Sequence, residues 1–395
     1  MTAFTHDSPQ AALDAILERT SPVEVETVAL ADAIGRVLRE GVPADRDSPS
    51  CDVSAMDGFA LRAADATAPL PIAGAIVIGT KPPPLAPGTA LRIVTGAAIP
   101  HGADVVVRHE DTTVDAGLVR ATIAPRGGDN IRRRAENVRS GAEVVAAGTR
   151  ITPAVSAALA TFGAARVKVC RRVRVAIVTT GDEVVPVDAT PDEWHVRDGN
   201  GSSLVALFGA MPCATIAIRA HVADDEATLR DEIARAIDGA DVVFLTGGVS
   251  MGERDFIPAT LARLGATTLF HKLPQRPGKP LLAAIARGGQ PILALPGNPL
   301  SVLVTARRFG VATVERLAGA ASARAPLAVA IDSPDHATIP LWWHRPVRLV
   351  APGRARLVTG RGSGDVASAA TSDGFVELPP GGCGPGPWPF LPWSA

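Results

Sequence analysis

Three kinds of side chain from residue 182 onward have the types and spacing to handle an anionic ligand. Asp182, Glu183, Asp224 and Asp255 are carboxylates at or near the ends of apolar runs. Converging carboxylates bind Mg²⁺, which takes oxygen ligands and bridges to phosphates. Singly, Asp224 reads as a helix cap and Asp182 as a turn residue; only a shared sheet edge would join them. Lys272, Arg276 and Lys279 fall within the eight residues KLPQRPGK, and Pro277 and Pro280 stiffen that turn and remove backbone donors. Cations on a rigid loop suit a phosphate or another oxyanion, although a solvated basic loop has the same composition. Gly247, Gly248 and Ser250 belong to GGVSMG, where missing Cβ atoms let backbone N–H groups converge on an anion. The same run spells G-x-S-x-G, the hydrolase elbow, but Gly252-Glu253-Arg254-Asp255 is a poor helix start. Phosphate cradle, plain turn and serine nucleophile stay open on these residues alone. So do the turns carrying Asp57 (SAMDGFA) and Thr95 (TGAAIP), which read as ordinary turns, and Arg132-Arg133-Arg134, which reads as a solvated surface.

These loops need rigid elements behind them. VRVAIVTT (173–180), CATIAIRAHV (213–222) and DVVFLT (241–246) are apolar strand patterns, followed by LLAAIA and PILAL. Helical patterns alternate with them: Asn200 reads as the cap of a helix through Leu207. Asp224 reads as the cap of one carrying Leu229, Ile233 and Ile237, and a further helix spans about 299–316. Buried strands alternating with amphipathic helices predict a mostly parallel, open α/β sheet. TGDE, LTGGVSMGERD and LPGNP each follow a strand directly, where such sheets bind ligands. Elsewhere, 8–19 reads as a helix capped by Ser8, with others near 29–39 and at 151–163. The stretch 44–140 is β-rich, 325–380 is β-rich again, and the end is an irregular tail.

With 395 residues the chain should hold two to four domains, at roughly 150 residues each. A hydrophobic share of 47% with 20% charged residues excludes general disorder. A net charge of −1 gives no global attraction to nucleic acid or an anionic membrane. The 38 glycines and 34 prolines argue for many turns rather than a helical bundle. Only four of the 39 basic residues are lysines, which draws notice to Lys272 and Lys279. Cys51, Cys170, Cys213 and Cys383 form no Cys-x-x-Cys pair, so structural zinc and iron–sulfur sites are not expected. The opening residues lack a signal-peptide pattern, and the uncharged stretch 199–218 contains Asn200 and Pro212; the cytoplasm is the expected location.

Eight words in order, SAMDGFA, TGAAIPHGADVVV, NIRRRAENVRSGAEVV, TTGDEVV, VRDGN, LTGGVSMGERDF, RPGKP and ALPGNPLSV, resemble the molybdopterin molybdotransferase family across about residues 45–305. The resemblance implies an α/β plus β multidomain fold. A molybdopterin-binding α/β domain would take 1–20 and 173–318, and a linker domain 21–43 and 141–172. A β-rich module would take 44–140, and a C-terminal β-barrel-like domain 322–395. It implies a homodimer in which the β-rich module of one subunit faces the α/β pocket of the other. The implied reaction joins molybdate to the dithiolene of adenylylated molybdopterin, with Mg²⁺, and releases AMP. Asp57, Glu183, Asp224 and Asp255 look like the catalytic acids that hold the metal, and Lys272, Arg276 and Lys279 like the cations that receive molybdate and phosphate. Thr95, the turn with Gly247, Gly248 and Ser250, and Pro296-Gly297-Asn298 look like binding loops. A molybdopterin adenylyltransferase and apo-molybdoenzymes are the implied protein partners. Asn137 stands where the family often has Asp, Arg276 replaces a Lys, Gly199 replaces a Ser, and the region 325–395 is atypical. These departures motivate an alternative, a non-catalytic molybdopterin-binding protein or cofactor chaperone.

Overall fold

Nearly every side chain of Val173–Thr180 (β1) is buried, and the strands around it explain why. The computed structural model describes residues 4–249, 256–320 and 327–394. The chain divides into two compact units, one of 1–40, 147–156 and 166–395, the other of 41–146 and 157–165.

In the first unit, β1 is joined by Ala214–Val222 (β2), Val242–Thr246 (β3), Thr267–His271 (β4), Leu282–Ile285 (β5) and Pro291–Leu295 (β6), in the order β2-β1-β3-β6-β5-β4. Strands β2, β1, β3 and β6 are mutually parallel, and β5 runs antiparallel to both β6 and β4. Helices Pro9–Glu18 (α1), Gly199–Gly209 (α2), Glu226–Gly239 (α3), Ile257–Arg263 (α4), Pro299–Thr305 (α5) and Val311–Leu317 (α6) cover the sheet. Side chains alternate across a strand. Val173, Val175 and Ile177 therefore pack on one face with Ile16, Phe208, Phe309 and Val314. Ala176 and Val178 pack on the other with Leu229, Ile233 and Leu261. Burying each large apolar side chain contributes about 1.5–3 kcal/mol. With both faces covered, β1 reads as a continuous apolar run, whereas the edge strand β2, buried at its two ends, alternates exposed and half-buried residues between them.

Several local readings are corrected. Ser8 does cap α1, accepting from Ala11 N at 3.2 Å. The helix expected near 29–39 is only a 3₁₀ turn, Leu30–Ala33. Gly35 ends it at φ +78°, with its N–H bonded to the Ile151 carbonyl. Asp198, not Asn200, caps α2, accepting from Gly201 N at 2.7 Å. Asp225, not Asp224, caps α3, accepting from Thr228 N at 2.8 Å. The helix expected over 299–316 is α5 and α6 joined by a π turn, Ala306–Gly310.

Also in the first unit, Leu327–Ile331 (β7), Trp342–Ala351 (β8), Arg354–Leu357 (β9), Gly374–Leu378 (β10) and Trp388–Pro392 (β11) pair in the order β8-β9-β7-β11-β10. The β10–β8 pairing closes the barrel. Val329, Val347, Val376 and Phe390 fill it. The tail expected to be irregular thus supplies β11, the strand that links β7 to β10. Gln275–Arg276 runs alongside β8 at Trp342 and Trp343, tying the barrel to the loop that carries the cations.

The second unit is built on a six-stranded sheet in the order Val105–Arg108, Gly58–Leu61, Ala90–Ile93, Leu70–Ala75, Leu118–Ala121, Thr112–Asp115. Phe59, Leu61, Val105 and Val107 form the core on one face, and Ala60, Ile93 and Val106 on the other. The fold is α/β plus β, as the sequence predicts. Among the described residues, no helix is long and apolar enough to cross a membrane.

Candidate active site

Strand direction decides which loops of the first unit share an edge. The carboxyl ends of the parallel strands are Val222, Thr180, Thr246 and Leu295. Because β5 is antiparallel to β6 and β4, its amino end and the carboxyl end of β4 lie on that edge too. The edge therefore carries, in order, Asp224 after β2, Glu183 after β1, Gly247 and Gly248 after β3, and Pro296-Gly297-Asn298 after β6. Lys279 before β5 and Lys272 after β4 complete it. Acid sits at one end, cation at the other, glycine turns between.

At the acidic end, Thr180 donates its hydroxyl to Asp224 Oδ1 at 2.5 Å, and Asp224 N donates to Asp182 Oδ1 at 3.0 Å. The Glu183 carboxylate lies back over Gly181, whose own Cβ would stand 2.7 Å from Glu183 Oε2. These donors are hard oxygens, the kind Mg²⁺ takes, commonly as one or two carboxylates completed by water and substrate phosphate. Among the described residues, no three His, Cys, Asp or Glu side chains come together as a metal site. Asp255, like Ser250, lies outside the described residues.

The central turn requires glycine. Gly247 has φ +97°, and a Cβ there would stand 2.5 Å from the Thr180 carbonyl oxygen. Asn200 latches this turn to its neighbour, its amide donating to Thr246 Oγ1 at 3.2 Å and to the Gly297 carbonyl at 2.7 Å. Asn298 stands at the N-cap position of α5 without a side-chain cap bond, and its amide donates instead to Ser363 Oγ at 3.0 Å in the C-terminal segment. His271, last in β4, places Nε2 3.0 Å from the Val249 carbonyl oxygen, connecting the glycine turn to the cation loop.

At the cationic end, a backbone bond from Leu273 N to the Lys279 carbonyl, 2.9 Å, closes the loop, and Gln275 is fully buried inside it. Gln275 Nε2 donates to the Gly278 carbonyl at 3.1 Å. Lys272 takes a positive φ of 77°. Lys279 is exposed, with its ammonium 5.8 Å from the Phe4 ring centroid, and the Arg276 guanidinium stands 6.0 Å from the Trp343 ring centroid.

In the second unit the structure joins two residues remote in sequence. Asp57 Oδ1 accepts from Thr95 N at 2.7 Å and from Thr95 Oγ1 at 2.9 Å. The Thr95 N–H, and then its hydroxyl, hold the Asp57 carboxyl below the usual carboxylate range. Both residues are exposed. Asn137 Oδ1 accepts from the Arg132 guanidinium at 2.5 Å.

Residues 8–163 match a family model described as the MoeA N-terminal region, domains I and II. Residues 176–316 match one described as a "Probable molybdopterin binding domain". A molybdopterin molybdenumtransferase of Synechococcus elongatus is 37% identical over 317 residues, covering 76% of this chain and 78% of that protein. The chain belongs to the molybdopterin molybdenumtransferase family. A Bacillus subtilis protein of the same name is 36% identical over 299 residues, 71% of this chain and 68% of that one. The fold agrees: a Pyrococcus horikoshii molybdopterin biosynthesis MoeA protein superposes with a TM-score of 0.83 at 24% identity, over 98% of this chain and 99% of that one. The family resemblance read from eight sequence words is thereby borne out. The two matched regions contain all the candidate site residues, while the barrel lies beyond them.

Sequence reasoning missed Thr180 and His271 and cast Asn200 as a cap. A lone His or Thr at a strand end carries no signal until its partner across the edge is known.

Proposed function

We propose that this chain is an Mg²⁺-dependent molybdopterin molybdotransferase that joins molybdate to adenylylated molybdopterin and releases AMP. The observation supporting it is the order of chemistry along one sheet edge: carboxylates, glycine turns, then cations. Lys272, Arg276 and Lys279 bind molybdate and the phosphate of the molybdopterin as anions, and the closed loop around Gln275 fixes their spacing. The turns of Gly247, Gly248 and Ser250 and of Pro296, Gly297 and Asn298 seat the pterin. Glu183, Asp224, Asp255 and Asp57 would hold Mg²⁺, which supplies neutralising charge to the pyrophosphate when bound. An oxygen from water or from molybdate attacks the pyrophosphate, so that the phosphoanhydride bond breaks and AMP leaves while the molybdopterin keeps its own phosphate. The two dithiolene sulfurs replace two molybdate oxygens, which leave as water with the thiol protons and further protons from solvent. Positioning and charge stabilisation carry such chemistry without a covalent nucleophile.

The domain bounds inferred from the sequence, a homodimer that brings Asp57 and Thr95 to the partner's pocket, and a cytoplasmic location belong to the same proposal. So do exchanges with a molybdopterin adenylyltransferase and with apo-molybdoenzymes. The test is a single-turnover assay with adenylylated molybdopterin, molybdate and Mg²⁺, following AMP and molybdenum cofactor together. Molybdate-dependent release of AMP with cofactor formation is expected; tight binding with no AMP release would overturn the reading in favour of a carrier.

A further inference from the structure

Cations that build the first unit stand on carboxylates: Arg171 and Arg174 share Asp241, Arg308 meets Glu377, and Arg345 meets Asp335. The cation loop is different. Among the described residues no carboxylate pairs with Arg276 or Lys279, and each faces an aromatic ring instead. The rings come from outside the loop, Trp343 from the barrel and Phe4 from the N-terminal segment. Both segments are anchored. Gln275–Arg276 pairs in register with Trp342–Trp343, and Trp342 N donates to the Pro274 carbonyl at 2.8 Å, so Trp343 stands directly opposite Arg276. The half-buried Trp343 packs on the barrel core, with the Arg345 guanidinium 4.2 Å from its ring centroid and fixed there by Asp335. In the N-terminal segment, the His6 ring meets Phe270 at right angles, with centroids 5.5 Å apart. The Asp7 carbonyl accepts from Trp342 Nε1 at 3.0 Å, which ties that segment to the same strand, β8.

Ring and carboxylate partners treat an anionic ligand differently. A carboxylate beside Arg276 or Lys279 would cancel its charge, consume its N–H donors and repel an incoming oxyanion. An aromatic face attracts the cation through its quadrupole and adds no net charge. The planar, weakly hydrated guanidinium of Arg276 suits such a face well. A long, mobile side chain is thus held in place without giving up the charge that an anion needs. Resting on the function proposed above, we infer that Trp343 and Phe4 are positioning residues. Their ring faces hold Arg276 and Lys279 so that molybdate meets both charges undiminished.

Calorimetric titration of the full chain with molybdate, together with the molybdate dependence of AMP release, tests this. Trp343→Leu should raise the molybdate Kd and KM about fivefold, while kcat at saturating molybdate stays within about twofold. Trp343→Phe, which keeps a ring face, should lie within about twofold of the wild type in all three. Phe4→Leu, at an exposed position outside the barrel core, should show a loss like that of Trp343→Leu. It decides the matter if Trp343→Leu fails to fold by its melting curve. In an Arg276→Ala background, adding Trp343→Leu should change molybdate affinity less than about twofold, because the ring has nothing left to position. A full fivefold loss in that background overturns the inference. So does unchanged molybdate affinity in the folded ring variants, or an equal loss in Trp343→Phe. The titration reads the rings even where AMP release fails, so a failed transfer assay would remove the proposed function and leave the positioning claim standing on the Kd values. If Arg276→Ala and Lys279→Ala weaken molybdate about tenfold or more and the ring variants do not, only the positioning claim falls.

Discussion

Asp241 and Asp224 sit at opposite edges of the same sheet, and their surroundings could hardly differ more. Asp241 immediately precedes β3 and accepts from Arg171 at 2.5 and 2.8 Å, from Arg174 N at 2.7 Å and from the Arg174 guanidinium at 3.1 Å. Burial alone would raise its carboxyl, but these hydrogen bonds and the guanidinium charges more than reverse that and hold it at about 2. Asp224, just after β2, receives one hydroxyl from Thr180 and keeps accepting capacity at a half-buried position. A carboxylate whose lone pairs are all consumed by its own chain has nothing left for a ligand. One with capacity to spare at a loop edge has cost the fold little and can serve chemistry.

The largest expected effect on stability lies on the satisfied side. Asp241→Ala leaves Arg171 and Arg174 without their shared partner. Asp241 is buried, but its guanidinium partners are partly exposed and Arg171 keeps Glu24, so losing these charged hydrogen bonds costs about 1.5–3 kcal/mol. Urea unfolding should show that loss, while AMP release per folded molecule stays within about threefold of wild type. A loss below about 1 kcal/mol would break the contrast. On the open side, Asp224→Asn and Lys279→Ala should each reduce molybdate-dependent AMP release by about 100-fold, close to 2.7 kcal/mol of transition-state stabilisation. Their unfolding free energies should stay within about 1 kcal/mol, since Lys279 is exposed and Asn at the half-buried position 224 keeps an oxygen for the Thr180 hydroxyl. If either variant melts early in step with its lost activity, its role is structural and the division between the two edges fails.

The same contrast marks what could be read from sequence. The strands, the helix capped by Ser8 and the loops following β1, β3 and β6 were legible, because periodicity and turn chemistry are local signals. So was the family, since SAMDGFA through ALPGNPLSV keep their order. The cap of α3 was misplaced by one residue, because Asp224 and Asp225 are equivalent as cap formers until Thr180 claims one of them. Whether Asp57 and Thr95 meet depends on the register of Gly58–Leu61 against Ala90–Ile93, which no local pattern specifies. The barrel was half legible: its last strand contains Pro389 and Pro392, which argue against a strand unless those positions need no N–H donor.

Acid should expose the satisfied carboxylates as a group. Glu377, buried with His344 and Arg308, is likewise held at about 2: burial pushes its carboxyl up, and those two partners outweigh it. A carboxyl whose folded value is depressed stabilises the fold above its unfolded value, near 4, and that stability is lost as pH falls through about 2. Unfolding free energy should therefore fall mainly between about pH 4.5 and 2, by on the order of 2 kcal/mol per group. In Asp241→Asn that slope should be shallower. An equal slope in variant and wild type would remove Asp241 from the account.

The smallest effect is expected at Asn137, whose side-chain oxygen is already engaged by Arg132 at 2.5 Å. By the rule drawn from Asp241, an acceptor committed to its own chain contributes to local order more than to ligand chemistry. Asn137→Asp adds a charge beside that guanidinium and should strengthen the existing pair. An exposed ion pair is worth only about 0–1 kcal/mol, and AMP release should stay within about threefold of wild type. A tenfold or larger gain would mean that the neutral amide had been limiting turnover, and would favour the carrier reading over the transferase. It would also show that a satisfied acceptor in the second unit can still govern chemistry, against the lesson of Asp241.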